Sequence, residues 1–186
     1  MIPVHPLTAE KGRDDWYAIY TRHQHEKTIA WLLSTTGLKT FLPLYDVVHQ
    51  WKDRKKRLSL PLFPCYVFVQ GGSECHVRAL YVPGVCRIVG VRGQPSAIPD
   101  SEIQAIRTAL SSSLRVEPHP FLHCGDRIRL RTGPLAGVGG ILLRKKNACR
   151  LILSVSLLER SVAVEVDARW VERVAHQISC GSCLSD

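Results

Sequence analysis

The ten residues from 111 to 120, Ser-Ser-Ser-Leu-Arg-Val-Glu-Pro-His-Pro, divide the chain into two stretches with different patterning. Three serines and two prolines leave this segment without an apolar period, and proline has no backbone N–H with which to continue a helix or a central strand. It reads as a flexible linker over residues 111–121. In residues 15–110 strand-like and helix-like periods alternate, whereas residues 122–175 hold only short strand patterns. Two domains are expected, with residues 176–186 forming a disordered tail.

In the first domain Trp16-Tyr17-Ala18-Ile19-Tyr20 is an aromatic-rich strand, and Ile29, Leu32 and Leu33 follow at helical spacing until Gly37 ends the helix. Thr40 to Val48 reads as extended, continuing into the basic, hairpin-like run Gln50 to Arg57 and returning through Leu62 to Val69. Val77, Leu80 and Tyr81 mark a short amphipathic helix stopped by Pro83-Gly84, and Val85 to Val89 is another strand. The order β-α-β-β-α-β is the ferredoxin-like succession, an antiparallel sheet with helices on one face. Asp100 and Ser101, after Pro99, are expected to cap a closing helix with Ile103, Ile106 and Leu110 turned inward.

Beyond the linker, Arg127-Ile128-Arg129-Leu130-Arg131 alternates basic and apolar residues, as a strand with one wet face does. Gly140–Leu143, Leu151–Val155, Val162–Val166 and Trp170–Val174 supply further strands at spacings that suit a small all-β barrel of the SH3-like type.

The formal net charge of +9 is shared between the domains: residues 1–110 carry +5 and residues 121–186 carry +4. Such a balance favours a polyanionic partner. The longest apolar runs are a few residues, against roughly 20 for a bilayer-spanning helix, and the N-terminal residues form no apolar signal region. No membrane association, a cytoplasmic location and a monomeric state are expected. The seven cysteines lack the paired spacing of a disulfide framework and read as reduced thiols. Cys180 and Cys183 in Cys-Gly-Ser-Cys lack the second ligand pair of a tetrahedral zinc site, which His176 alone does not supply, so no metal or other cofactor is expected. Nor is catalysis: there is no nucleophile elbow or paired acidic motif, and the histidines are isolated or local, as in His23-x-His25.

Gly125-Asp126-Arg127-Ile128-Arg129-Leu130 followed by Gly133-Pro134-Leu135-Ala136-Gly137-Val138-Gly139-Gly140 resembles a KOW motif: a strand, a tight Gly-Pro turn, and glycine where the backbone needs positive φ or close approach. A phosphate-binding loop would need Gly-Lys-Ser/Thr and a following helix, which are lacking. KOW barrels serve both translation and transcription, so this motif leaves a ribosome-associated RNA-binding protein open. The first domain separates the two. Trp16-Tyr17, Phe63-Pro64-x-Tyr66-Val67-Phe68-Val69, and Pro83-Gly84-Val85 followed by Val89-Gly90 together resemble the N-terminal domain of the NusG family, in order and spacing. Phe41 to Tyr45, Pro61 to Tyr66 and Leu157 to Val166 are similar to the specialised, operon-associated RfaH/UpxY-type paralogues rather than housekeeping NusG. Housekeeping members usually carry Gly between Pro64 and Tyr66, where this chain has Cys65.

The resemblance implies a transcription elongation factor that promotes processive elongation by antipausing or antitermination, on one long operon if it is a paralogue. It implies that Trp16, Tyr17, Phe63, Pro64 and Tyr66 hold the clamp helices of the largest RNA polymerase subunit, with Phe63 and Tyr66 at the interface and Tyr17 in the core. The helix around Glu74 to Arg78 falls where a contact with the second-largest subunit is made. Arg22, Lys27, Lys52, Arg54, Lys55, Lys56 and Arg57 form a basic run suited to non-template DNA, with Trp51 as a base-stacking partner. Leu135, Val138 and Leu158 occupy the positions through which the barrel would bind a small-subunit ribosomal protein or a termination factor. The β-branched content of residues 141–166 favours a barrel that stays a barrel.

Overall fold

The structure, a computed structural model, describes residues 15–50, 55–120, 126–145 and 148–173. The first domain runs β1 (Trp16–Thr21), α1 (Glu26–Thr35), β2 (Lys39–Phe41), β3 (Leu44–Gln50), β4 (Lys55–Pro61), β5 (Tyr66–Gln70), α2 (Ser73–Leu80), β6 (Val85–Ile88), β7 (Gly90–Val91), β8 (Gln94–Pro95) and α3 (Asp100–Ser111). The barrel region follows as β9 (Val116–Pro120), β10 (Asp126–Leu130), β11 (Gly139–Lys145), β12 (Ala148–Val155), β13 (Arg160–Val166) and β14 (Val171–Arg173).

The N-terminal sheet has the order β2-β5-β1-β6 and is antiparallel throughout. Strand period sends alternate residues to opposite faces, and here both faces are covered. Tyr17 and Ile19 of β1 join Val67 and Val69 of β5 in a core with Ile29 and Leu33 of α1 and Ala79 of α2. Trp16, Ala18 and Phe68 point the other way, into a core with Ile103, Ile106 and Ala109 of α3. The expectation of helices on one face is thus corrected: α3 closes the second face, because a run as apolar as Trp16 to Ile19 has side chains to bury on both sides. Each large apolar side chain so buried contributes about 1.5–3 kcal/mol. Asp100 lies inside the first turn of α3 rather than capping it, and its Oδ1 accepts hydrogen bonds from Trp16 Nε1 (3.1 Å) and Gln104 Nε2 (3.2 Å). The hairpin β3-β4 stands apart from this sheet, paired from Leu44↔Pro61 out to Gln50↔Lys55.

The second sheet has the order β14-β10-β11-β12-β13-β9. Its edge strand β9 comes from the segment expected to be linker: Val116 pairs with Val164 and Pro120 with Arg160. Prolines are tolerated there because an edge strand leaves one row of amides without ladder partners. Only the stretch immediately after α3 therefore connects the two units. The domains also touch. Ser156, just after β12, donates from its amide to Glu102 Oε2 (3.1 Å) and from its hydroxyl to Glu102 Oε1 (2.9 Å), and α3 packs along β12.

Candidate functional site

A tightly held surface of the first domain is the turn that enters β5. Phe63 drops into the core edge-on to Phe68 (5.8 Å between centroids), and the Tyr66 amide donates to the Phe63 carbonyl (3.2 Å), closing a tight turn around Pro64 and Cys65. Cys65 sits at φ +68°, the left-handed region, where an L-residue with a Cβ is strained by about 1–2 kcal/mol. The turn is held on two sides: the Thr21 amide donates to the Cys65 carbonyl (2.9 Å), and the Cys65 amide donates to Glu26 Oε1 (2.8 Å). This pins it to the end of β1 and the start of α1 and leaves Pro64 exposed and Tyr66 half-buried. Tyr66 meets Tyr20 edge-on at 5.5 Å, and the Arg87 guanidinium lies 5.2 Å from the Tyr20 ring.

Of the five aromatic or proline residues proposed for a partner contact, three are interior. Trp16 and Phe63 are each 1% exposed and Tyr17 is 8% exposed. The Arg107 guanidinium of α3 covers Trp16 and Phe41 at 4.6 and 4.7 Å. Tyr17 is edge-on to the His76 ring at 4.1 Å, and burial holds the His76 pKa below its ordinary value. The expectation that Phe63 lies at the surface is corrected, since the turn folds its ring onto Phe68. Tyr20 was missed, although its signal was present: it shares the alternate face of β1 with Trp16 and Ala18, and lies opposite Tyr66 across the β1-β5 ladder.

Among the basic residues, Arg22, Lys56 and Arg57 are exposed. Lys27 is committed, its Nζ donating to the Ser59 carbonyl (2.6 Å) and tying α1 to β4. Lys55 pairs with Gln50 at the hairpin end. Trp51, Lys52 and Arg54 lie outside the described residues, as do Cys180 and Cys183. In the barrel the expected surface positions are largely internal: Leu135 is 0% and Leu158 7% exposed, while Val138 is half-buried. The reason is the turn itself, in which the Gly137 amide donates to the Leu130 carbonyl (2.7 Å) and the Val138 amide to the Leu135 carbonyl (3.0 Å), folding Leu135 under the strand.

A second arrangement lies behind the Cys65 turn. His23 Nδ1 stands 3.5 Å from Cys65 Sγ, and both approach the carboxylate of Glu26, the three donor atoms lying within 4.8 Å of one another. Glu26 is 4% exposed. Burial and the neighbouring Glu26 and Cys86 push the Cys65 thiol up, so it is not the activated thiolate of a nucleophilic cysteine. Sequence reading set His23 aside as an isolated histidine and saw Cys65 only as a departure from glycine.

The structure thus pairs an α+β domain displaying a Pro64–Tyr66 edge with a small β-rich domain carrying a Gly-Pro turn, and comparison with known proteins shows which family has this arrangement. A family model described as "Transcription termination factor nusG" matches residues 14–107. The chain is 30% identical over 141 residues to the transcription termination/antitermination protein NusG of Buchnera aphidicola, covering 73% of this chain and 77% of that protein. It is 27% identical over 186 residues to the NusG of Borreliella burgdorferi, covering 86% and 98%. Among solved structures, one described as "Domain interaction in Thermotoga maritima NusG" shares the fold with a TM-score of 0.52 at 20% identity, covering 88% of this chain and 98% of that one. The chain belongs to the NusG family, a family of non-enzymatic transcription termination/antitermination factors. Among the described residues no helix is long and apolar enough to cross a membrane.

Proposed function

We propose that this protein binds RNA polymerase through the edge formed by Tyr20, Pro64 and Tyr66, with the clamp helices of the largest subunit as the site of contact, and promotes processive elongation. The observation that carries this reading is the Phe63–Tyr66 turn, which offers an exposed proline and two edge-on tyrosines on a rigid base. Aromatic side chains on such a base supply large contact area at low entropic cost. A second contact, to the opposite jaw through the second-largest subunit, is supported by the apolar side of α2, where Val77, Leu80 and Tyr81 are 56%, 51% and 84% exposed. A factor that touches both jaws favours the closed, processive state over the open, paused one.

The hairpin β3-β4, with Lys56 and Arg57 exposed, is the proposed contact for non-template DNA. The barrel takes a small-subunit ribosomal protein or a termination factor, with Val138 as the accessible member of the three positions expected. A specialised role on one long operon is favoured by Cys65 in place of glycine; occupancy over most transcribed genes would instead mark a housekeeping factor. The test is binding of the full chain to core RNA polymerase. Tyr20→Ala with Tyr66→Ala is expected to weaken binding at least about tenfold, as loss of a hot-spot pair does, and unchanged affinity would overturn the assignment.

A further inference from the structure

The His23, Glu26 and Cys65 cluster plays no part in the proposed polymerase contact, and three features set it apart from a chance meeting of side chains. The first is donor type and spacing. Zinc ligands at about 2.0 Å for imidazole nitrogen and about 2.3 Å for thiolate sulfur stand about 3.5 Å apart across a tetrahedron, and His23 Nδ1 and Cys65 Sγ are 3.5 Å apart. A carboxylate oxygen of Glu26 lies within 4.8 Å of both.

The second feature is charge. Glu26 is 4% exposed, and among the described residues its carboxylate forms no ion pair, since those present involve Glu117, Asp167 and Glu172. Among the described residues it accepts a hydrogen bond from the Cys65 amide. The positive end of α1 offsets part of its charge, but buried carboxylates are ordinarily paired with a cation or coordinate a metal. The third feature is backbone strain on both sides of the cluster. Gln24 (φ +63°) presents His23, and Cys65 (φ +68°) presents its own thiol, each a side-chain-bearing residue in the region that favours glycine.

We propose that His23 Nδ1, Cys65 Sγ and a carboxylate oxygen of Glu26 form a zinc-binding site with an open fourth position. A nitrogen, sulfur and oxygen set suits zinc, and three protein ligands with one position left over is the pattern of sites that take an exogenous fourth ligand. Binding deprotonates Cys65 and pins the Pro64–Tyr66 turn to the start of α1. This inference goes beyond the polymerase reading and does not depend on it.

The test is titration of the reduced full chain carrying Cys180→Ser and Cys183→Ser, which removes the C-terminal thiol pair, with Co²⁺ as a spectroscopic stand-in followed by displacement with Zn²⁺. One equivalent of Co²⁺ is expected to give a sulfur-to-metal charge-transfer band that Zn²⁺ abolishes. Cys65→Gly relieves the backbone at φ +68°, so that variant is expected to stay folded and to lose the band entirely. Glu26→Gln, which keeps an acceptor for the Cys65 amide, and His23→Gln are each expected to weaken binding at least about tenfold. Cys86→Ser is expected to leave the band intact. Absence of the band in the parent chain, its survival in Cys65→Gly, or its loss in Cys86→Ser would each overturn the proposal.

Discussion

Both domains contain turns in the left-handed backbone region, and the Gly-Pro turn of the barrel and the Cys65 turn of the sheet domain fill it with different residues. In the barrel, glycine carries the Gly-Pro turn between β10 and β11, with Gly133 at φ +87° and Gly137 at φ +85°, while Glu159 takes the left-handed region at φ +48° after β12. In the sheet domain Gly37, Gly84 and Gly93 serve other left-handed turns, but the corner between β1 and β5 uses Cys65 at φ +68° and Gln24 at φ +63° where glycine would relax the chain. The barrel turn has a purely conformational task, so the residue that meets it at least strain suffices. The Cys65 turn tolerates strain, and strain of this kind collects where a side chain is needed. The difference therefore separates a turn that shapes the fold from one that also presents chemistry.

The largest effect is expected at the barrel turn. A Cβ at Gly133 would meet Trp170 Cδ2 at 2.7 Å and Cε2 at 2.9 Å, in addition to the cost of φ +87°. Gly133→Ala should lower the stability of the barrel by about 3 kcal/mol, combining left-handed strain with overpacking, read as a fall in the urea midpoint; a loss under about 1 kcal/mol would remove glycine's special status there. Next is Glu26→Ala, which leaves the Cys65 amide without its acceptor and should destabilise the sheet domain by about 2 kcal/mol. Glu26→Gln retains an acceptor and should lose much less, so equal losses in the two variants would break the link between Glu26 and the strained turn.

A smaller contrast is titratable. The sheet domain half-buries His76, whose shielded Nε2 has no hydrogen-bond partner among the described residues and whose folded pKa lies below the ordinary 6.5. The unfolded chain thus binds a proton at higher pH than the folded one. Stability is fully retained above pH 6.5, falls as the pH drops below it, and levels off once the folded pKa is passed. His76→Phe should flatten this part of the stability-versus-pH profile; an unchanged slope would assign it to other groups. The smallest effect is a gain: Cys65→Gly should stabilise by about 0.5 kcal/mol, the relief of left-handed strain less the added freedom of glycine in the unfolded chain. A loss of stability would mean that the Cys65 side chain supports the turn even without a ligand.

Much of the fold was legible because period alone decides it. Trp16 to Tyr20 reads as a strand, Ile103 and Ile106 as the buried stripe of α3, and Val162 to Val166 as a barrel strand, and each forms where the pattern places it. What period does not encode is which neighbour covers a face. The second face of the sheet was therefore left open until α3 filled it, and β9 was read as linker because its prolines signal a break while its partners in β13 lie forty or more residues away. The site was less legible for the same reason. The resemblance to the family put Phe63, Leu135 and Leu158 at contact surfaces, and the local hydrogen bonds that turn Phe63 and Leu135 inward appear only once the turns close. The meeting of His23 with Cys65 depends on β1 and β5 lying side by side, across a sequence separation of 42 residues.

The most direct measurement is co-elution of the full-length chain with purified core RNA polymerase, set against co-elution with ribosomal RNA and ribosomal subunits. A stoichiometric complex with polymerase, weakened in the variant with Tyr20→Ala and Tyr66→Ala and accompanied by shorter pauses on a transcribed template, is the predicted result. Retention by the ribosomal fraction with no polymerase complex would contradict it.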